Sequence, residues 1–456
     1  MFFRKAVSSL DEWMSSPKKA LMVVGARQVG KTTLIETFCQ ERFSHVAKVN
    51  FANTPSAVGI LLEAENLRDF ETRLSLLPNV NLGGAGSVLF FDELQEYYVA
   101  REKRIQADPN FALAHVDILT LAKEIAIERE YRLILSGSML GATLFTVNLT
   151  PTGFVDILHM YPMDFEEFLL ASGVSGQLID TLKERFGSGN PLDKGVNDAI
   201  AAKYREYLVV GGMPEAVSAY FGGGGLAAVR KAHQGIDAWY RADIAKYARV
   251  EDRLVISEMY DRLPSEIASK NRKFVKSHLE TPDFKNLDLK DRYLWLSAAG
   301  IALPVHNVTN PAFPLKLSED SKLVKLFASD VGLLSSALLD DEGKRSIMLQ
   351  TTKADLGAIY ENAVAQELFA HGRKCYYHSL KKEGEIDFMI EKGGCVIPIE
   401  VKSGKGGEAQ VYSHPSLNKL LSRHSEIDEA YVFGDTNLFS EGDRIKNRPL
   451  YMAGLL

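Results

Sequence analysis

A glycine-rich turn near the N-terminus carries the residues whose types and spacing most directly suggest chemistry. Residues 25–33 read GARQVGKTT and fit the pattern G-x-x-x-x-G-K-[ST], which binds the phosphates of a nucleoside triphosphate. The apolar run at residues 21–24 predicts a buried strand before this turn, and residues 33–36 open a helix after it. Backbone N–H groups at such a turn surround phosphate oxygens at the N-terminus of the helix. The predicted nucleotide-binding residues are Gly25, Ala26, Arg27, Gln28, Val29, Gly30, Lys31, Thr32 and Thr33.

A second segment supplies two acids that suit the same site. We expect Lys31 to contact the β- and γ-phosphates and the Thr32 hydroxyl to bind Mg²⁺. Residues 87–93, SVLFFDE, form an apolar run typical of a buried parallel strand that ends in two acids. Asp92 is predicted to hold Mg²⁺, and Glu93 to act as the general base for the attacking water.

A third strand is predicted at residues 131–135, directly before Ser136-Gly137-Ser138. The Ser136 hydroxyl could sense the γ-phosphate there, although an ordinary strand-to-turn transition explains the same residues. Strand and helix patterns alternate up to residue 165, which predicts an α/β fold with a parallel sheet between helices. The ligand is then expected at the carboxyl ends of the strands, where the three motifs lie.

The last hundred residues contain a different group of charged side chains. Glu361 lies on an amphipathic helix, Asp387 in the strand pattern 385–390, and Glu400 and Lys402 in the strand that follows a Gly-Gly hairpin. Residues two apart in a strand share a face, so Glu400 and Lys402 project together. Two carboxylates can hold Mg²⁺ and a nearby lysine can activate water, which is the arrangement of a metal-dependent phosphodiesterase. A hairpin with charged residues on its solvated face is the alternative.

Basic and aromatic residues around this hairpin offer a surface for nucleic acid. Tyr376 and Tyr377 could stack on bases. The basic neighbours that could contact phosphates are Arg373, Lys374, Lys381, Lys382, Lys402 and Lys405. The same side chains could equally form a solvated surface.

Proline, glycine and helix-capping residues along the chain predict four segments. Pro162 interrupts the first segment, and Asp164 is expected to cap the next helix. The four glycines at 222–225 predict a mobile loop within a helical region. A possible strand pair at 301–308 and 314–317 suits a winged-helix unit, and an irregular helical linker suits it equally. The predicted domains are a P-loop ATPase domain at 1–165, a helical lid or linker at 166–245, a winged-helix-like domain at 246–345, and a restriction-endonuclease-like domain at 346–456.

Composition excludes several classes of protein. The chain has 456 residues, 46% of them hydrophobic, and a net charge of −6, so it has no overall basic field for nucleic acid. Its three cysteines are scattered without metal-ligand spacing, which fits a reducing compartment. The N-terminus lacks the apolar core of a signal peptide, and no apolar run approaches the ~18 residues of a membrane span. We therefore expect a cytoplasmic protein without a membrane segment.

Taken together, the motifs resemble one group of proteins over nearly the whole chain. The chain resembles the prokaryotic AAA-superfamily P-loop ATPases with an uncharacterised C-terminal domain that ends in a restriction-endonuclease-like module. The segments that carry the resemblance are residues 25–34, 91–95, 136–138, 161–168, 211–217, 330–334, 360–362, 385–388 and 398–404. The resemblance implies ATP binding and hydrolysis with Mg²⁺, a sensor role for Ser136, and a fused module related to nucleases. It does not supply a substrate.

One departure from the group concerns an arginine. Many relatives carry Gly-Arg shortly before the Tyr-Pro motif, whereas this chain has Gly153-Phe154. An arginine that reaches the phosphates can add orders of magnitude to turnover, so a slow basal rate is expected. Arg132, Arg241 and Arg249 are alternative donors, and the sequence does not choose among them.

Three hypotheses follow for function. The first is a slow Mg²⁺-dependent ATPase that acts as a nucleotide-controlled switch for its C-terminal module. The second is an ATP-gated nuclease for DNA or RNA that binds Mg²⁺ at Glu361, Asp387 and Glu400. The third is an ATP-dependent binding protein whose inactive nuclease fold holds nucleic acid or a protein partner. An oligomer is compatible with each hypothesis.

Overall fold

The computed structural model describes residues 2–78, 80–146, 153–269, 289–380, 384–405 and 413–456. The chain divides into two compact units, which we call unit 1 and unit 2. Unit 1 contains Met1–Tyr161, Ala238–Ser257 and Trp295–Ile301. Unit 2 contains Pro162–Asp237, Glu258–Leu294 and Ala302–Leu456. The first boundary between the units falls between Tyr161 and Pro162.

A parallel five-stranded sheet forms the centre of unit 1. Its strands are β1 (Ala20–Val24), β2 (His45–Asn50), β3 (Ser87–Asp92), β4 (Arg132–Ser136) and β5 (Val155–His159), in the order β2-β3-β4-β1-β5. All residues of β1 and β3 are buried. Burial of both faces explains why these strands appear in the sequence as continuous apolar runs. The parallel α/β fold predicted for the N-terminal segment is confirmed.

Helices of unit 1 pack around this sheet. They are α1 (Ala6–Ser15), α2 (Lys31–Arg42), α3 (Pro55–Leu62), α4 (Leu67–Leu74), α5 (Gln95–Ala107), α6 (Phe111–Ala114), α7 (Ile118–Glu128) and α8 (Leu140–Thr146). The side chains of Asn66 and Asp117 cap α4 and α7 by accepting hydrogen bonds from main-chain N–H groups. Phe51, Phe70 and Phe91 pack together in the core between helices and sheet.

Unit 2 begins with a group of helices. They are α9 (Phe165–Ala171), α10 (Gly176–Ser188), α11 (Lys194–Val210), α12 (Pro214–Ala219) and the first part of α13 (Gly225–Tyr247). Asp164 forms a capping box with Glu167 at the start of α9, as the sequence predicts. Two further helices, α14 (Arg253–Ala268) and α15 (Lys290–Ala298), like α13, have residues in both units.

The predicted loop at residues 222–225 is instead part of a helical connection. A π-helical turn, Tyr220–Gly224, joins α12 to α13. Gly223 has φ 87° and Gly225 has φ 58°, conformations that residues with a side chain rarely adopt. The glycines therefore permit a tight change between two helices, which composition alone does not distinguish from a loop.

A mixed eight-stranded sheet forms the rest of unit 2. Its strands are β6 (Ala302–Val308), β7 (Glu319–Ala328), β8 (Tyr376–Leu380), β9 (Gly384–Lys392), β10 (Cys395–Lys405), β11 (Ala430–Asp435), β12 (Phe439–Glu441) and β13 (Ile445–Pro449), in the order β12-β13-β11-β10-β9-β8-β6-β7. Its helices are α16 (Val331–Leu338), α17 (Asp341–Met348), α18 (Gly357–Ala370) and α19 (Pro415–Arg423). Among the described residues, no helix combines the length and apolar character needed to cross a membrane.

This sheet differs from the predicted winged-helix unit in the middle of the chain. The strand expected at 301–308 is present as β6, but residues 314–317 lie largely in the 3-10 helix Leu315–Ser318, and the partner strand starts at Glu319. Because β6 also pairs in parallel with β8, the predicted segments 246–345 and 346–456 share one hydrogen-bonded sheet. Long-range strand pairing of this kind leaves no local signal in the sequence.

Two motifs of the resemblance contact each other within unit 2. A carboxylate oxygen of Asp330 accepts a 2.6 Å hydrogen bond from the main-chain N–H of Gly212, and the other oxygen accepts one from Leu333. A Cβ at Gly212 would lie 2.0 Å from the Met163 carbonyl oxygen. The contact between Gly212 and Asp330 therefore has a structural role, and we call it the joint between Asp330 and Gly212. Burial raises the pKa of Asp330 to about 6.

Candidate functional site

Three neighbouring strands of unit 1 end in polar residues at the same edge of the sheet. Asn50 ends β2, Asp92 ends β3 and Ser136 ends β4. Asn50 is paired directly with Asp92 across the two strands, and Ser136 follows the pairing of Leu135 with Phe91. Because all three strands are parallel, their carboxyl ends place these side chains side by side.

Asp92 is the centre of this edge. Its side chain is 2% exposed, and its Oδ1 accepts a 2.7 Å hydrogen bond from Ser136 Oγ. Thr32 Oγ1 lies 3.1 Å from Oδ2, and Asn50 Nδ2 donates to the same oxygen at 3.0 Å. Lys48 Nζ is 3.5 Å from Oδ2. A buried carboxylate next to a hydroxyl is an oxygen donor set that fits Mg²⁺, so Asp92 and Thr32 are placed to hold this ion.

The phosphate loop, residues 25–32, has the backbone that the motif requires. Gly25 has φ 149°, and a Cβ there would lie 2.1 Å from the Met160 carbonyl oxygen. Gln28 and Gly30 have φ 66° and 95°, and α2 begins at Lys31. The loop therefore turns directly into a helix N-terminus, where main-chain N–H groups and the helix dipole favour an anion.

Lys31 lies inside this loop. Its Nζ donates to the carbonyl oxygens of Gly25 and Ala26, at 2.9 and 2.8 Å. Burial lowers the pKa of Lys31 to about 8, against the opposing effect of Glu93 and Asp92. A phosphate group would replace the carbonyl oxygens as the partner of this ammonium group.

Glu93 is held in an unusual backbone conformation beside Asp92. Its φ is 53°, in the left-handed region that non-glycine residues seldom occupy and that occurs often at functional positions. Gln95 Nε2 donates to Glu93 Oε2, and Ser138 Oγ lies 3.2 Å from the same oxygen. The carboxylate is thus oriented by two neutral donors and is half-buried, as a base that must meet a water molecule requires.

Arg27 of the phosphate loop is engaged by the end of α13. Its Nη1 forms a 2.7 Å ion pair with Asp243 Oδ1, and its guanidinium lies 4.2 Å from the centre of the Trp239 ring. Burial raises the pKa of Asp243 to about 6, although Arg27 opposes this change. Close by in sequence, Lys246 and Tyr247 both contact Glu96 at the start of α5.

The structure distinguishes Arg132 from the other two arginines that were proposed as alternative hydrogen-bond donors to the phosphates. Arg132 begins β4, at the strand end opposite to Ser136, and donates to the carbonyl oxygens of Trp13 and Met14. The hypothesis that Arg132 contacts the phosphates is therefore wrong. Arg241 and Arg249 belong to the segment Ala238–Ser257 of unit 1, which also carries Asp243.

In unit 2, three of the predicted nuclease-type residues lie on two neighbouring strands. Asp387 is on β9, and Glu400 and Lys402 are on the antiparallel neighbour β10. Lys402 Nζ forms an ion pair with Glu400 Oε2, and Glu400 Oε1 accepts a 3.1 Å hydrogen bond from the main-chain N–H of Leu417. Asp387 Oδ2 accepts from the Val401 N–H at 2.8 Å. Burial and the nearby Asp387 charge raise the pKa of Glu400, whereas Lys402 lowers it.

The remaining predicted residues of this region are one acid, two tyrosines and several basic residues. Glu361 is buried on α18, a helix that packs along β10. Tyr376 and Tyr377 are buried in β8, so the prediction that they stack on bases is wrong. Arg373 donates to the carbonyl oxygen of Leu456. Lys374 is exposed beside the Tyr376 ring. Lys381, Lys382 and the side chain of Lys405 lie outside the described residues.

Sequence reasoning missed three residues of the ATP-type site. Asn50 donates to Asp92, and Gln95 and Ser138 donate to Glu93. A signal for Asn50 was available, because it stands at the end of a strand pattern, as Asp92 and Ser136 do. Gln95 and Ser138 lie inside the motifs at residues 91–95 and 136–138, but only the fold shows that their side chains meet at Glu93.

Comparisons with known proteins agree with this geometry. Residues 17–169 match a family model described as an AAA domain. Residues 201–344 and 356–450 match two domains of unknown function, DUF8612 and DUF4143. No curated protein matches the chain. The N-terminal segment is therefore an AAA-type P-loop ATPase domain.

Three solved structures are similar to this chain at low sequence identity. A Walker-type ATPase of Pyrococcus abyssi is 16% identical with a TM-score of 0.41, covering 74% of this chain and 96% of that one. The Aeropyrum pernix Orc1 protein in complex with DNA is 17% identical with a TM-score of 0.27, covering 75% and 93%. The Thermotoga maritima RuvB Holliday junction branch migration motor is 14% identical with a TM-score of 0.28, covering 69% and 91%. At these identities and TM-scores the likenesses say nothing further about this chain.

Proposed function

We propose that the chain binds ATP with Mg²⁺ in unit 1 and hydrolyses it slowly. The observation that supports this most is the position of the Asp92 carboxylate, which accepts hydrogen bonds from Thr32 and Ser136 beside the phosphate loop. In this proposal Lys31 contacts the β- and γ-phosphates, and Thr32 and Asp92 hold Mg²⁺. The ion, when bound, neutralises charge on the phosphate oxygens.

Glu93 and Ser136 have distinct roles in the proposed hydrolysis. Glu93 accepts a proton from the attacking water, with Gln95 and Ser138 fixing the direction of its carboxylate. Ser136 orients Asp92 and reports the γ-phosphate. A slow rate is supported by Phe154, which stands where many relatives have an arginine.

In the proposed nucleotide-controlled switch, one continuous helix, α13, carries the effect of the nucleotide. The first part of α13 belongs to unit 2, and its last residues, from Ala238 to Tyr247, belong to unit 1. Within unit 1 these last residues contact Arg27 of the phosphate loop and Glu96 of α5. Phosphates that compete with Asp243 for Arg27 would change the contacts of α13 between the two nucleotide states. Such differential contacts are what a ligand needs to shift a conformational equilibrium.

Equilibrium binding of a fluorescent ATP analogue with Mg²⁺ tests the nucleotide site. Lys31→Ala is expected to abolish binding, whereas Lys103→Ala, on the exposed face of α5, leaves it unchanged. Unchanged affinity of Lys31→Ala would remove the phosphate-loop assignment. Hydrogen exchange of α13 with and without nucleotide tests the switch, and identical exchange in both states would contradict it.

A Mg²⁺-dependent nuclease is the second candidate, supported by the adjacency of Asp387, Glu400 and Lys402. Here the strands β9 and β10 would form part of a restriction-endonuclease-like fold. Cleavage of mixed DNA and RNA substrates by wild type, with and without ATP, is compared with Asp387→Ala. Cleavage that the variant loses supports the nuclease. Absence of cleavage alongside ATP hydrolysis favours a third candidate, a binding module for nucleic acid or a protein partner.

The cellular compartment is part of the proposal. Cys39 and Cys375 are buried free thiols, and Cys395 is an exposed free thiol. Exposed free thiols persist in reducing compartments. We therefore place this ATPase in the cytoplasm.

A further inference from the structure

A cluster in unit 2 combines one imidazole with two carboxylates, apart from both sites described above. Asp164 precedes α9, Glu367 lies on α18, and His371 follows the end of α18. One ligand atom from each residue lies within 4.8 Å of the other two, and His371 Nε2 is 3.3 Å from Asp164 Oδ2. Asp164 and Glu367 are 4% and 3% exposed, and His371 is half-buried.

The other polar atoms of these side chains have partners that fix their orientation. Asp164 Oδ1 accepts a 2.8 Å hydrogen bond from the Glu167 N–H, and Glu367 Oε1 accepts one of the same length from the Phe165 N–H. His371 Nδ1 lies 2.8 Å from the main-chain oxygen of Glu367. With Nδ1 at this carbonyl, Nε2 lies at Asp164, and an Nδ1–H that donates to a carbonyl is the usual tautomer of a ligating histidine.

Position 454, which lies beside Glu367 and His371, has room only for glycine. A Cβ at Gly454 would lie 2.4 Å from Glu367 Oε2 and 2.8 Å from His371 Cε1. Glu367 lies in the last turn of α18 and His371 is the C-cap residue of the same helix, so the two side chains come from one helix end. The Tyr207 hydroxyl lies 3.3 Å from Glu367 Oε1 and adds a second contact to the carboxylate.

We propose that Asp164, Glu367 and His371 bind one divalent transition-metal ion. The imidazole nitrogen favours Zn²⁺ over Ca²⁺, which prefers oxygen ligands only, and the two carboxylates also suit Mn²⁺. Three protein ligands leave a coordination position open beside the half-buried His371. The ion ties the start of α9 to the end of α18, and it is independent of ATP binding in unit 1.

Calorimetric titration and thermal unfolding of the full chain test this site. The protein is first freed of metal with a chelator and then titrated with Zn²⁺, Mn²⁺, Mg²⁺ or Ca²⁺ in the absence of nucleotide. We expect Zn²⁺ or Mn²⁺ to bind with a raised Tm, and we expect Asp92→Asn and Asp387→Asn to retain this effect. No rise in Tm and no heat with either transition metal would overturn the proposal.

Three conservative variants locate the ion while preserving the helix contacts. Asp164→Ser keeps a helix cap, Glu367→Gln keeps an acceptor for the Phe165 N–H, and His371→Gln removes the imidazole. Each is expected to weaken Zn²⁺ or Mn²⁺ binding at least about tenfold. The matched control is His424→Ala, because His424 pairs with the exposed Glu426 at 2.8 Å outside the cluster. Unchanged affinity in all three variants would identify the cluster as an ion pair without a metal.

Discussion

The Ser136 hydroxyl donates a 2.7 Å hydrogen bond to Asp92 Oδ1 across the adjacent ends of β4 and β3. Both side chains are buried, and Thr32 and Asn50 contact the same carboxylate. A hydrogen bond to a charged group contributes about 1.5–3 kcal/mol. Ser136 is thus placed to hold the proposed Mg²⁺ ligand in one orientation.

Loss of the Ser136 hydroxyl is expected to slow hydrolysis more than it weakens binding. Ser136→Ala should lower kcat for ATP about 10- to 100-fold, because about 1.4 kcal/mol corresponds to a factor of ten. KM should change by less than about threefold if the phosphates stay bound through the phosphate loop. Steady-state kinetics measures both, with Ser87→Ala at the other end of β3 as the control. Equal losses in the two variants would contradict a specific role for Ser136.

Removal of the partner of Arg27 is expected to strengthen nucleotide binding. Asp243 pairs with Arg27 and adds a negative charge near Lys31. Asp243→Asn removes that charge, so we expect Kd for ATP to fall about three- to tenfold at low salt and less at high salt. Arg27→Ala should act in the opposite direction. A titration at two salt concentrations checks this, and an unchanged Kd in Asp243→Asn would show that the ion pair does not compete with phosphate.

Nucleotide affinity is expected to depend on pH through Lys31. Its pKa of about 8 lies below the usual lysine value, so the free protein loses this cation as the pH rises through about 8. Phosphate favours the charged form, and binding above that pH must take up a proton. Because Asp243 titrates near pH 6, Kd for ATP should be nearly constant only between pH about 7 and about 8, and it should rise towards about tenfold per pH unit above pH about 8. Lys103→Ala, which keeps Lys31, should repeat the wild-type profile, and a flat profile in wild type would disprove the assignment.

The joint between Asp330 and Gly212 is expected to stabilise unit 2. Asp330→Ala leaves the N–H groups of Gly212 and Leu333 without their carboxylate partner. Each buried unsatisfied donor costs about 1–3 kcal/mol, so we expect a loss of about 2–4 kcal/mol. Asp340→Ala, which removes an ordinary helix cap from α17, should cost only about 1 kcal/mol. Urea unfolding together with hydrogen exchange of α16 compares them, and equal losses would mean that Asp330 is only a cap.

Local patterns predicted the nucleotide site of unit 1 well. The phosphate loop, β3 and β4 each combine a buried apolar strand with a polar end, and the parallel sheet brings those ends together. Ser138 was missed because it lies 45 residues from Glu93, and Gln95, only two residues from Glu93, was missed because the sequence does not show that its side chain turns back to that carboxylate.

The second unit shows where sequence patterns stop being informative. The pairing of β6 with β8 joins segments far apart in the chain, and neither strand indicates its partner. The glycines at 222–225 have the composition of a loop, yet they form part of the helical connection from α12 to α13, with positive φ at Gly223 and Gly225. Tyr376 and Tyr377 resemble a stacking platform in sequence but are buried in the sheet.

Single-turnover hydrolysis of ATP with Mg²⁺, comparing wild type with Glu93→Gln, tests the central claim most directly. The glutamine keeps a side chain of similar size but cannot accept a proton from water, so binding should be unchanged while hydrolysis slows by about 10²- to 10⁴-fold. Wild type should convert bound ATP to ADP in the same assay. Hydrolysis at the wild-type rate in Glu93→Gln, or bound ATP that wild type leaves intact, would contradict the proposed ATPase.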